Sequence, residues 1–306
     1  MKNTNLPTPF TGIITPMITP LSGQDKLDIT GLERLIEHIL AGGVHGLFIL
    51  GTTGEAPSLS HRLRRELIQH TSKIVNERIP ILVGITDTSF VESISMATFA
   101  ASHGASAVVS APPYYFPAGQ PELLEYVQHL ARQLPLPLFL YNMPSHTKLV
   151  FDPETVRKAA ELENIIGLKD SSGNMLYFHQ LQELLKNHKD FSLLVGPEEL
   201  LAESLFLGGN GGVSGGANIY PELYVNLYNA AKEKNVDIAT RYHEQIMKIR
   251  TTIYSVGHYS SSFLKGVKCS LSCMGICDDF MAEPFRRFRE PERIQIKKYL
   301  EELSLI

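Results

Sequence analysis

Apolar positions along this chain follow two rhythms that take turns. Short, nearly continuous apolar runs such as Leu47-Phe48-Ile49-Leu50, Ile81-Leu82-Val83-Gly84, Ala107-Val108-Val109-Ser110, Leu138-Phe139-Leu140-Tyr141-Asn142 and Ile165-Ile166-Gly167-Leu168 end in glycine, proline or polar residues. Runs of that length with those boundaries read as buried strands. Between them the apolar residues spread to helical spacing. Ile29, Leu32, Leu35, Ile36, Ile39 and Leu40 form one face, which Gly42-Gly43 ends; Leu63, Leu67, Ile68, Ile74 and Val75 form another. Further helices are predicted over 90–102, 121–133, from Asp152-Pro153 to Leu162, from beyond Gly173 through Leu181 to Leu185, and over 198–206. Asp152-Pro153 suits an N-cap followed by the first helical position.

With Gly12-Ile13-Ile14-Thr15-Pro16-Met17 first and the glycine-rich stretch 208–216 last, the strands number eight. Strands that are apolar throughout belong to a sheet covered on both faces. Eight successive βα units within about 220 residues fit an α/β fold of the (β/α)8 TIM-barrel type better than a doubly wound sheet. No G-x-G-x-x-G follows the first strand, so a dinucleotide fold loses further ground. Past Pro221 the rhythm is only helical, over 220–234, 236–254, 263–274 and 291–303. The expected organisation is a catalytic barrel in residues 1–222 with a C-terminal helical extension in 223–306 packed on it.

Composition narrows the partners. A formal net charge of -4 leaves no basic stripe for nucleic acid. No apolar run reaches the roughly 20 residues of a membrane span. The start Met1-Lys2-Asn3-Thr4-Asn5 lacks an apolar signal core, so a cytoplasmic protein is expected. Cys269, Cys273 and Cys277 recur every fourth residue and would share one helix face. No His or carboxylate cluster completes them as a metal site, and they read as buried thiols.

A barrel gathers the C-terminal ends of all its strands on one face, where its site lies. The residues at those ends are Thr52 and Thr53, Tyr114 and Tyr115, Tyr141, Lys169, and the glycines around Val213. Lys169 either reaches water at its strand end or is an amine held for chemistry, because an ammonium stranded in apolar surroundings is costly. Lys169 and Tyr141 end consecutive strands, and neighbouring strands lie about 4.8 Å apart. An amine kept from water can attack a ketone as a free base, and the resulting imine draws electrons from the adjacent carbon–carbon bond. A tyrosine hydroxyl can carry the proton. Gly51-Thr52-Thr53-Gly54 can offer backbone N–H groups and hydroxyls to a carboxylate, or be an ordinary tight turn. The glycines of 208–216 could instead cradle a phosphate.

Taken in order, Gly51-Thr52-Thr53-Gly54-Glu55, Pro113-Tyr114-Tyr115, Tyr141-Asn142-Met143-Pro144, Gly167-Leu168-Lys169-Asp170 and the glycine-rich eighth strand resemble the dihydrodipicolinate synthase / N-acetylneuraminate lyase family of pyruvate-type class I aldolases. The likeness runs from Thr11-Gly12 through the helical tail. It implies a lyase in which Lys169 forms a Schiff base with pyruvate or another 2-oxo acid and Tyr141 gives and takes the proton. Thr53 with the Thr52 amide would hold the substrate carboxylate, and backbone at Val213 would line the pocket. Thr52 and Tyr115 would complete a proton relay, with Tyr115 entering a neighbouring subunit's site in synthase-like members. The resemblance also implies a homo-oligomer, a tetramer built as a dimer of dimers, and no metal or organic cofactor, since the lysine is the electron sink.

The chain departs from the synthase pattern at one informative place. Synthases read Tyr-Asn-Val-Pro-Gly-Arg-Thr, with the arginine gripping the second substrate's carboxylate. Here the run is Tyr141-Asn142-Met143-Pro144-Ser145-His146-Thr147, and an imidazole lacks the bidentate fork. The third strand also ends unusually, in Val83-Gly84-Ile85-Thr86-Asp87. These changes favour a 2-keto-3-deoxy sugar-acid aldolase or dehydratase, with His146 near the second substrate, over condensation of pyruvate with aspartate semialdehyde. A non-catalytic barrel that senses a 2-oxo acid is the alternative of another class; the intact Lys169, Tyr141, Thr52 and Thr53 argue against it.

Overall fold

The computed structural model describes residues 6–306. The polar start on which the cytoplasmic expectation rests, residues 1–5, lies outside the described residues. The chain forms two compact units, one of residues up to 14, 45–48 and 77–213, the other of residues 15–44, 49–76 and 214–306.

The first unit is built on the expected barrel. The barrel strands are Gly12–Pro16, Gly46–Ile49, Ile81–Gly84, Ala107–Ser110, Leu138–Asn142, Ile165–Asp170, Ser192–Val195 and Gly211–Val213, all but Thr15, Pro16 and Ile49 falling in the first unit. They close in sequence order, the first pairing with the eighth in parallel register at Gly12↔Gly211. Closure explains the glycines of the last strand. A Cβ on Gly211 would lie 2.0 Å from the Gly12 carbonyl oxygen, and one on Gly209 would lie 2.8 Å from that of Ser204. Close backbone approach therefore accounts for Gly209 and Gly211. Inside, Phe10, Ile14, Phe48, Leu82, Phe139 and Leu194 pack with Tyr141 and Val213 into one cluster. Helices Phe90–Ser102 and Gln120–Gln133 follow the third and fourth strands as the pattern required. The helix after Asp152 stops earlier than expected, at Pro153–Ala159, and the Asp152 side chain does not cap it.

One irregularity matters for the site. Between the fifth and sixth strands the register runs Leu138↔Ile165 and then Phe139↔Gly167. Ile166 is thus the extra residue of a β-bulge. Without it Tyr141 would oppose Leu168; with it Tyr141 opposes Lys169 and Asn142 opposes Asp170. Gly167 fits only as glycine, since a Cβ there would sit 2.4 Å from Phe139 Cε1 and 2.6 Å from the Ser192 carbonyl oxygen.

The second unit is mainly helical. Helix Ile29–Ala41 buries Leu32, Leu35, Ile36 and Ile39, and its first turn is capped by Asp28 Oδ1 accepting from Gly31 N at 2.9 Å. An antiparallel pair, Leu21–Gly23 with Lys26–Leu27, precedes it and is too short to register in the apolar pattern. The helical tail comprises Pro221–Lys232, Val236–Thr251, Ser262–Cys273 and Glu290–Glu302, close to the spacing-based bounds. No helix among the described residues is long and apolar enough to cross a membrane.

Candidate active site

Lys169 occupies the penultimate position of the sixth strand and is only 6% exposed. Its Nζ lies 4.1 Å from the Tyr141 ring centroid and 5.1 Å from that of Phe48. The two rings meet edge to face at 6.3 Å and 88°. The amine therefore sits in an aromatic corner, and no carboxylate pairs with it among the described residues. Val213, 4% exposed, belongs to the same buried cluster as Tyr141. The structure thus brings Lys169, Tyr141 and Val213 into one region of the first unit, and adds Phe48, which sequence reading passed over as ordinary core.

Behind this corner is a polar network that the sequence reading also missed. Asn142 Nδ2 donates to Asp170 Oδ1 at 2.9 Å. Ser172 N donates to the same oxygen at 3.0 Å, and Ser172 Oγ donates to Oδ2 at 2.9 Å. Asn142 Oδ1 accepts from Phe151 N at 3.2 Å, and Tyr177 Oη donates to the Phe151 carbonyl at 2.7 Å. Burial pushes the Asp170 carboxyl above its usual range, against the pull of Asn142 and Ser172. Burial, followed by the charges of Asp170 and Asp152, pushes the Tyr177 phenol up strongly. A polar pair at matched ends of two adjacent apolar runs is the signal that could have revealed it.

Two sequence candidates of this unit lie at the surface. Tyr115 is 85% exposed, has a left-handed φ of 87°, and stands edge to face against Phe116 at 5.2 Å. A bulky residue in that conformation is strained. His146 ends the exposed side of the short helix Pro144–Thr147, with Nδ1 2.9 Å from Ser145 Oγ. Surrounding protein atoms, and then the Lys148 charge, hold its imidazole below the ordinary value. His146 is therefore a neutral ring near pH 7, unlike an arginine in charge as well as in shape.

Thr52 and Thr53 belong to the second unit, Thr53 buried and Thr52 half-buried. Their loop is bracketed by two left-handed residues, Leu50 at φ 58° and Glu55 at φ 55°. Glu55 N donates to the Thr52 carbonyl at 3.0 Å, and Thr19 Oγ1 donates to the Gly54 carbonyl at 2.7 Å. Glu55 forms an ion pair with Lys268, both side chains almost wholly buried. Its other oxygen accepts from Ala282 N at 2.9 Å, while Lys268 Nζ donates to the Phe280 carbonyl at 2.7 Å. Lys268 falls among the buried Leu264, Val267 and Leu271 of helix Ser262–Cys273, which was the available sequence signal for this pair. No group of His, Cys, Asp or Glu among the described residues could hold a metal ion.

Comparison with known proteins places this architecture. The dihydrodipicolinate synthetase family profile matches residues 9–303. The 4-hydroxy-tetrahydrodipicolinate synthase of Methanopyrus kandleri is 31% identical over 297 residues, covering 96% of this chain and 97% of the relative. Among solved structures, the dihydrodipicolinate synthase of Bacteroides thetaiotaomicron is 56% identical with a TM-score of 0.95, covering 97% of this chain and all of that one. YagE of Escherichia coli, solved in complex with pyruvate and provisionally named a 2-dehydro-3-deoxy-D-gluconate aldolase, is 31% identical with a TM-score of 0.91, covering 97% of this chain and 99% of that one. The chain, a closed eight-stranded barrel with helical additions, belongs to the dihydrodipicolinate synthetase family of lyases.

Proposed function

We propose that the chain is a class I lyase that forms a Schiff base between Lys169 and pyruvate or another 2-oxo acid, and that its substrates are 2-keto-3-deoxy sugar acids. The observation that carries this reading is the Lys169 amine, buried against Tyr141 and Phe48 and without a carboxylate partner among the described residues. A structural lysine at that depth would ordinarily be paired.

In the proposed reaction the Lys169 amine adds to the C2 ketone and the adduct loses water to give the imine. Tyr141 takes the proton of the C4 hydroxyl, the C3–C4 bond breaks, and its electron pair moves through C3 into the imine as an enamine. The aldehyde leaves, C3 regains a proton, and water releases pyruvate. Thr53 and the Thr52 amide hold the carboxylate, Val213 backbone lines the pocket, and Tyr115 joins the relay. Tyr115 and Phe116, 85% and 79% exposed, suit burial against a second copy in a dimer of dimers. The end of the last strand at Val213 and the purely helical elements from Pro221 onward support a barrel in residues 1–222 and a helical extension in 223–306.

Borohydride trapping tests the chemistry. With pyruvate present, the intact mass rises by one reduced adduct located on Lys169; no adduct, or the same adduct in Lys169→Ala, rejects the reading. A panel of 2-keto-3-deoxy acids assayed for pyruvate release tests the substrate class. A second reading, condensation of pyruvate with aspartate semialdehyde, is favoured by the 56% identity to the dihydrodipicolinate synthase of Bacteroides thetaiotaomicron. Against it stands neutral His146 where synthases carry the carboxylate-gripping arginine. Efficient condensation without sugar-acid cleavage would select the synthase.

A further inference from the structure

We propose that Asp170 is a positioning residue, which with Asn142 and Ser172 clamps the ends of the fifth and sixth strands in the one register that seats Lys169 beside Tyr141. This inference rests on the reading of Lys169 as the Schiff-base amine.

The argument starts from the bulge. A parallel strand pair with an extra residue at Ile166 has two competing offsets beyond it. One opposes Tyr141 to Lys169, as observed; the other, one residue away, opposes Tyr141 to Leu168. A one-residue slip carries every later side chain to the other face, and apolar residues on both strands give little discrimination between the two offsets. Hydrogen bonds with definite partners do discriminate. Asn142 Nδ2 reaches Asp170 Oδ1 at 2.9 Å only when Asn142 stands opposite Asp170. The residues on either strand just before this pair are Tyr141 and Lys169.

The carboxylate is anchored from its own side as well. Ser172 gives Oδ1 its backbone N–H at 3.0 Å and Oδ2 its hydroxyl at 2.9 Å. Asn142 is held in turn by Phe151 N, 3.2 Å from its Oδ1. Asn142 is fully buried and Asp170 is 2% exposed, so water cannot replace a lost partner cheaply. Side chains alternate between faces along a strand, so this clamp stands on the opposite face from Tyr141 and Lys169. It acts through them, without touching substrate.

Hydrogen-bond geometry, rather than charge, is the working property. An asparagine at 170 can still accept from Asn142 and Ser172 N, while the Ser172 hydroxyl turns to accept from the new amide. Alanine can do none of this. A displacement of about 1 Å in a reacting group costs on the order of 100-fold in rate. Asp170→Ala and Asn142→Ala are therefore expected to lower kcat, and the rate of borohydride-trapped imine formation, by about 30- to 100-fold. KM should change by less than about threefold, because the carboxylate-binding loop is untouched. Asp170→Asn should stay within about fivefold of wild type, and the Asn142→Ala/Asp170→Ala double variant should lose little more than either single one.

The test measures single-turnover pyruvate trapping, kcat and KM, and thermal stability for these variants. It also includes a crystal structure of Asn142→Ala, which keeps the Ser172 contacts of Asp170 and is the variant best able to fold. In that structure the Lys169 Nζ to Tyr141 centroid distance should lengthen from 4.1 Å. Variants that trap pyruvate at the wild-type rate overturn the clamp while leaving the Schiff-base reading intact. An Asp170→Asn variant as impaired as Asp170→Ala also overturns it. If wild type traps no 2-oxo acid, the functional reading fails, and the Asn142→Ala structure still decides the clamp: an unchanged distance overturns it.

Discussion

Replacing Lys268 by methionine leaves the Glu55 carboxylate buried without its cation. In the native structure the pair is almost solvent-free, with Lys268 0% and Glu55 2% exposed at the side chain. Removing one member of a buried pair costs about 3–5 kcal/mol, because the remaining charge is stranded. For 306 residues the unfolding entropy is about 0.6 kcal/mol per kelvin, so the midpoint should fall by about 5–8 °C. The double variant Glu55→Gln/Lys268→Met removes both charges and keeps an acceptor for Ala282 N. It leaves the Phe280 carbonyl without its donor and buries the new Gln amide N–H groups, a cost of about 1–3 kcal/mol that is still below that of a stranded charge. Urea denaturation of wild type, both single variants and the double variant gives the coupling directly. A loss below about 1 kcal/mol for Lys268→Met, or single losses that simply add in the double variant, would refute the reasoning.

Tyr141→Phe keeps the ring against Lys169 and removes the hydroxyl, so borohydride trapping should survive while kcat falls about 10²- to 10⁴-fold; an unchanged kcat would remove Tyr141 from proton transfer. Burial pushes the Cys277 thiol up to about 12, so the folded chain holds its proton where the unfolded chain has lost it. Stability therefore falls as pH rises between about 9 and 12, by about 2 kcal/mol at pH 10.5, and urea midpoints at pH 8 and 10.5 should show a smaller drop for Cys277→Ala than for wild type. Gly167→Ala places a Cβ 2.6 Å from the Ser192 carbonyl of the adjoining strand, which cannot retreat without opening the barrel. A loss of at least about 3 kcal/mol is expected, read by urea denaturation, and one below about 1 kcal/mol would contradict the packing argument.

Much of the fold was readable because apolar periodicity reports burial directly. The strands around Phe48, Val83, Val108, Phe139, Lys169 and Leu194 lie where their apolar runs predicted, and the four late helices begin and end within a few residues of expectation. Short-range pairing was not readable. The hairpin Leu21–Gly23 with Lys26–Leu27 carries too few residues for a period, and the helix after Asp152 stops early, its Asp-Pro start lacking the side-chain cap that the sequence suggested. The glycines 208–216 suggested a ligand cradle, whereas Gly209 and Gly211 answer to backbone neighbours that only closure of the barrel brings near.

The site divides along the same line. Sequence alone singled out Lys169 as an amine at the end of an apolar run and Tyr141 as its counterpart one βα unit earlier, because both anomalies are local. The resemblance to synthases, rather than any local anomaly, drew attention to His146, at the place where their pattern carries an arginine. Tertiary structure alone decided that Tyr141 and Lys169 stand opposite one another, since the bulge at Ile166 shifts the register by one residue. It likewise supplied the partners of Asp170 and Glu55, which come from Asn142 and Lys268 far along the chain. Periodicity records which residues leave water; the register of adjoining strands and the pairing of buried charges arise only when distant segments meet.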